Sequence, residues 1–166
     1  MRFATAKIIV ILKEGTIMER LLYKDLLKWK DSKDRKPLIL KGVRQCGKTW
    51  LLKEFGKNNY ENVAYFNFEG NEALQERFNE NLDVTRIIEE LSILNNKKIH
   101  PEKTLIIFDE IQFCNKALTS LKYFCENAPE YHVVCAGSLL RNISIKTIIF
   151  SCWKSRFSKI KTDELL

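Results

Sequence analysis

Residues 42–49 read Gly-Val-Arg-Gln-Cys-Gly-Lys-Thr, the spacing G-x-x-x-x-G-K-[ST] of a phosphate-binding loop. Each residue type suits a nucleoside triphosphate. Gly42 and Gly47 let the backbone curl until successive N–H groups point inward at phosphate oxygens. A helix starting near Lys48 adds its positive dipole end. Lys48 brings a mobile cation for the β- and γ-phosphates, and the Thr49 hydroxyl has the size and hardness to ligate Mg²⁺. A glycine-rich turn between a strand and a helix can also exist without a ligand, so the rest of the site has to be found elsewhere in the chain.

It is found 61 residues after Lys48, where the apolar run Leu105–Phe108 delivers Asp109-Glu110. Two adjacent carboxylates at the carboxyl end of a buried strand can divide the work. Asp109 would hold the Mg²⁺ shell, through water or through Thr49, while Glu110 would orient and polarise an attacking water. An isolated Asp-Glu pair can equally cap the next turn, and only the loop upstream favours the chemical reading. The following apolar run ends at Ala136-Gly137-Ser138, where the Ser138 hydroxyl could reach the γ-phosphate or the water; as a motif, Gly-Ser after a strand is also an ordinary turn.

Elements must bring these residues together. From Met18, Leu21, Leu22, Leu26, Leu27 and Trp29 recur at helical spacing, and the helix stops in Asp31-Ser32-Lys33-Asp34. Leu38–Leu40 is a short buried strand and Trp50–Lys57 the helix after the loop. Asn62–Phe68 has the aromatic and β-branched content of a strand. Glu72–Phe78 and Val84–Leu94 are helical, residues 95–103 a loop, Thr104–Phe108 a strand covered on both faces, Ala117–Glu126 a helix, and Tyr131–Ala136 another buried strand. Strands alternating with helices from 37 to 140 predict an α/β fold with three layers and a mainly parallel sheet, with ligands at the carboxyl ends of its strands.

The chain has 166 residues, 45% hydrophobic and 30% charged, enough for one domain with a core. Its formal charge is +7, but this is concentrated at the ends. Residues 1–17 carry +2, residues 141–166 carry +4 and the body between them +1. Such a distribution does not support nucleic acid as a partner of the whole domain. Five cysteines (Cys46, Cys114, Cys125, Cys135, Cys152) with no C-x-x-C pair and only two histidines offer no zinc spacing and suit reduced thiols in a cytoplasm. Ile8–Leu12 is too short to span a bilayer, so no membrane partner is expected.

With these motifs in place, the chain resembles the AAA-type P-loop ATPases of prokaryotes that carry a C-terminal domain of unknown function. The resemblance rests on Gly42–Thr49, on Asp109-Glu110-Ile111-Gln112 and on Ala136-Gly137-Ser138-Leu139-Leu140, and covers roughly residues 18–140. It implies a three-layer P-loop NTPase core of AAA type, with ATP and Mg²⁺ as cofactors. Gly42, Val43, Arg44, Gln45, Cys46, Gly47, Lys48, Thr49 and Trp50 would contact the nucleotide, and Thr49 and Asp109 the metal. The catalytic group would be Lys48, Glu110 and Ser138, the last in the sensor 1 place. Arg44 and Gln45 are marks of the family's loop, whereas Cys46 reads as a small filler.

Two departures set further expectations. Residues 1–17 read as an N-terminal extension that need not pack, and Met18 as the natural start. Residues 141–166 read as a tail foreign to the family. Family members continue with a segment like Phe-Pro-Val-Gly-Lys-Val, and Phe150–Ser155 can be encoded so that reading one nucleotide later yields it, so the chain is expected to leave the family's frame near residue 141. An incomplete AAA core lacks its lid, second sensor and arginine finger, the last typically worth ~10³ to 10⁵ in rate. The first expectation is therefore ATP binding with weak or absent hydrolysis. The alternatives are an active ATPase working as a homo-oligomer and a nucleic-acid-binding protein acting through its basic ends.

Overall fold

The computed structural model describes residues 8–11, 16–42 and 47–137. In chain order they form β1 (Ile8–Ile11), α1 (Thr16–Lys30), β2 (Leu38–Gly42), α2 (Lys48–Asn59), β3 (Asn62–Asn67), α3 (Glu72–Glu76) and α4 (Val84–Leu94). Then follow β4 (Thr104–Asp109), a 3₁₀ turn (Ile111–Phe113), α5 (Asn115–Asn127) and β5 (His132–Gly137). The strands make one five-stranded sheet in the order β1-β2-β5-β4-β3, with every pair parallel.

Side-chain alternation sorts the core into two layers. Leu38 and Leu40 of β2, Leu105 and Ile107 of β4, and Val134 and Ala136 of β5 pack with Leu22, Leu26 and Trp29 of α1 and Leu51, Leu52 and Phe55 of α2. Their neighbours Ile39, Ile106, Phe108, Val133 and Cys135 face the other way, onto α3, α4 and α5. All six residues of β4 and of β5 are buried, as central strands covered on both faces must be. The α/β three-layer fold expected from the alternation of elements is the fold observed.

α4 has the bounds the sequence indicated, whereas α2 (Lys48–Asn59) and α5 (Asn115–Asn127) run longer and α3 (Glu72–Glu76) shorter than expected. Asp83 caps α4 by accepting from the Arg86 N–H at 2.9 Å, and Val84, Ile87, Ile88 and Leu91 form its buried stripe. On α2 the buried Gly56 allows close approach to the sheet, since a Cβ there would lie 2.6 Å from Val63 Cγ2.

The extension expected at residues 1–17 contains strand β1, whose Ile8–Ile11 pair in register with Ile39–Gly42. A run of β-branched residues too short to cross a membrane is long enough to add one strand to a sheet edge. Thr16 and Ile17 begin α1. Residues 141–166 lie outside the described residues. Cys114 and Cys135 are free and buried, their thiol pKa values raised by burial, so neither is poised as a nucleophile. Cys125, on α5, is half-buried. Among the described residues no helix is long and apolar enough to cross a membrane.

At the amino ends of the strands His132 is 4% exposed. Its Nδ1 lies 2.6 Å from Tyr60 Oη, and the Trp29 ring stands edge-on to it at 5.9 Å. Burial, with Arg35 and Lys30 nearby, pushes its pKa down to about 4. The native state therefore binds this proton more weakly than the unfolded chain, whose histidine titrates near ~6.5. The associated stability is complete above that value and is lost as pH falls toward 4, on the order of 3 kcal/mol at full protonation. Denaturant unfolding of wild type and His132→Phe between pH 7.5 and 4 should show the wild type losing stability faster. Equal pH slopes would refute the assignment.

Candidate functional site

The carboxyl ends of β2 and β4 flank that of β5, and the helices following β2 and β4 leave on opposite faces of the sheet. Such a crevice is where parallel α/β sheets bind ligands. The described residues among those singled out from the sequence gather here. Gly42 ends β2. Gly47 caps α2 with φ +81°, and its C=O accepts from the Leu51 N–H at 2.9 Å. Lys48 opens α2 and is only 5% exposed. Trp50, by contrast, is 59% exposed. Val43, Arg44, Gln45, Cys46 and Ser138 lie outside the described residues.

Asp109 is the last residue of β4 and shares the parity of Leu105 and Ile107, so its carboxylate is delivered to the α2 side of the sheet. There the Thr49 hydroxyl donates to Asp109 Oδ2 at 2.8 Å. Sixty residues of sequence separate the two, and no spacing rule anticipates the bond. Asp109 Oδ1 accepts from the Glu110 N–H at 3.0 Å. Glu110 itself stands at φ +48°, ψ +42°, a left-handed conformation that costs a non-glycine residue about 1–2 kcal/mol. This turn ends the strand and starts the 3₁₀ segment, in which the Phe113 N–H donates to Glu110 O at 3.1 Å. The Gln112 side-chain amide donates to the Glu110 carboxylate, so the residue after the Asp-Glu-Ile triplet orients its second acid.

One member of the site was missed in the sequence. Tyr65, on β3, donates its phenol proton to Asp109 Oδ2 at 2.8 Å. Its pKa is raised by burial, then by this bond and by the charges of Asp109 and Glu110, so it remains a donor. Lys53 of α2 places Nζ 3.5 Å from the centre of the Tyr65 ring, within cation–π range. The available signal was parity: Tyr65 follows Val63 on the α2 face of its strand. What the sequence withheld is the register that pairs Asn67 with Asp109.

Among the described residues no cluster of three or more His, Cys, Asp or Glu side chains is able to hold a metal. The donors that do meet, a hydroxyl and a carboxylate, are hard oxygens. They fit Mg²⁺, which takes one or two protein oxygens and completes its shell with water and phosphate.

A strand-loop-helix carrying G-x-x-x-x-G-K-T, with an acidic pair at the end of the next strand but one of a parallel sheet, defines a P-loop nucleotide-binding α/β domain. The chain belongs to the AAA domain family, whose model matches residues 34–149. The match begins after α1 and runs nine residues past Leu140, where the resemblance read from the sequence ends. No curated protein is significantly similar to the chain.

The Gly47 conformation is testable alone. A Cβ there would meet nothing within 4 Å, so any cost of substitution is one of backbone conformation rather than crowding. Gly47→Ala should destabilise the nucleotide-free protein by about 1 kcal/mol, and Gly47→Asn by less because asparagine tolerates the left-handed region. Equal stability of all three proteins in urea would contradict the strained cap.

Proposed function

We propose that this domain binds Mg²⁺–ATP at the carboxyl end of its sheet. Nucleotide binding comes with the AAA family; the assignment of residues is our own. Residues Gly42–Trp50 cradle the nucleotide, with Lys48 directed at the phosphates. Thr49 and Asp109 would hold the magnesium ion, which supplies charge neutralisation at the phosphate oxygens. The observation that carries this reading is the 2.8 Å bond between Thr49 and Asp109, which ties the start of α2 to the end of β4 across β5. A structural turn and a strand cap would have no need to meet.

Hydrolysis is a second reading, favoured by Glu110. Its carboxylate is one residue from Asp109 and held by Gln112, the arrangement required of a group that orients and polarises a water molecule. Ser138, at the end of the neighbouring strand in sequence, would assist as the polar sensor. The work is that of a nucleoside triphosphatase, and its setting a cytoplasm, where ATP is supplied.

Saturating Mg-ATP, at ~100 times its dissociation constant, should stabilise the protein by about 2.7 kcal/mol, a melting shift of roughly 5–10 °C for a domain of this size. Lys48→Ala should abolish most of that shift, and an unchanged shift would sink the phosphate-loop assignment. Asp109→Asn should weaken binding only when Mg²⁺ is present, while Glu110→Gln should keep or raise affinity and remove any turnover. If the two variants behave alike in binding and turnover, the division of labour between the carboxylates is wrong.

A further inference from the structure

We propose that Tyr65 is a positioning residue for Asp109, its phenol holding Oδ2 beside Thr49 so that the carboxylate is fixed in orientation toward the magnesium shell. The inference rests on the Mg-ATP reading above and adds a residue to it. A carboxylate has about four lone-pair positions. Asp109 Oδ2 accepts from both Thr49 Oγ1 and Tyr65 Oη, each at 2.8 Å, and Oδ1 accepts from the Glu110 N–H at 3.0 Å. Both positions on Oδ2 are therefore taken by hydroxyl protons, leaving one on Oδ1. Thr49 can keep its proton on Asp109 while its own lone pairs face a cation.

The phenol is held in place from two sides. Its strand pairs with β4 up to the Asn67–Asp109 pair, and Lys53 Nζ sits 3.5 Å from its ring centre. Lys53 is four residues after Thr49 on α2, so one helix face carries both the hydroxyl that meets Asp109 and the cation that covers Tyr65. If Tyr65 only filled space, phenylalanine would serve equally well. The hydroxyl is what the proposal requires.

The experiment is calorimetric titration of ADP into the full chain and its Tyr65→Phe and Lys53→Met variants, first in EDTA and then across a Mg²⁺ series. In EDTA, Tyr65→Phe should bind ADP within about twofold of wild type. The Mg²⁺ concentration giving half the metal-dependent gain in affinity should rise about 10-fold, as when an outer partner of a metal ligand is removed. Lys53→Met should shift the same midpoint in the same direction by about 2–3-fold. An unchanged Mg²⁺ midpoint in Tyr65→Phe overturns the proposal, as does a loss of metal-free affinity equal to the loss with metal. Should Tyr65→Phe fail to fold, Lys53→Met, altering an exposed side chain, decides the question by the same midpoint, and no shift there overturns it. A wild-type protein that binds no ADP under either condition would instead remove the Mg-ATP reading itself.

Discussion

A single hydrogen bond, from the Thr49 hydroxyl to the Asp109 carboxylate, states the constraint under which the domain is built. For those two side chains to meet, β2 and β4 must be parallel and end at the same level, with a strand between them and the helix after β2 on the side to which Asp109 points. Each condition has its own physical cause. Parallel pairing needs long crossovers, which the helices supply. The level is set by the register of Leu38 with Val134 and of Leu105 with His132. The side is set by the two-residue period of β4.

The same period explains how one short strand serves both the core and the site. Leu105 and Ile107 anchor β4 under α1 and α2, Ile106 and Phe108 anchor it against α3–α5, and Asp109 extends the first row by one polar residue. Glu110 would fall on the opposite face, among aromatic rings, if the strand continued. The left-handed turn at Glu110 keeps that second carboxylate out of the apolar layer. Conformational strain of about 1–2 kcal/mol is small beside the cost of burying an unpaired carboxylate.

Much of this was legible in the sequence because the signals were local. The phosphate-loop spacing, the apolar run before Asp109-Glu110, and the helical stripe of Val84, Ile87, Ile88 and Leu91 are each contained within a dozen residues, and each element appears where they place it. What stayed hidden depends on pairing between distant segments. Tyr65 reads as one more aromatic in a strand until its neighbour is known, and Lys53 as a surface lysine. Ile8–Ile11 read in the sequence as part of an extension that need not pack, because an edge strand of four residues carries no pattern beyond its β-branched content; only the partner strand β2 gives it meaning. Trp50 joins the expected nucleotide contacts by its position after Thr49 alone, and its indole, 59% exposed, is not part of the core.

The strand order has a consequence for how the chain assembles. β2 and β3 are consecutive parallel strands, yet β5 and β4 lie between them. As the polypeptide emerges from the ribosome, β2 can pair on one side only with β1, and its other edge stays open until the last described strand has been made. The β2–α2–β3 segment that supplies Thr49, Lys53 and Tyr65 is therefore complete in sequence long before it can be complete in space. Insertion of β5 is the event that joins the two halves of the sheet, and until then each half exposes unpaired backbone groups of the kind that recruit other chains. A domain wired this way has high contact order and closes slowly, so its nucleotide site comes into being at the end of folding rather than at the beginning.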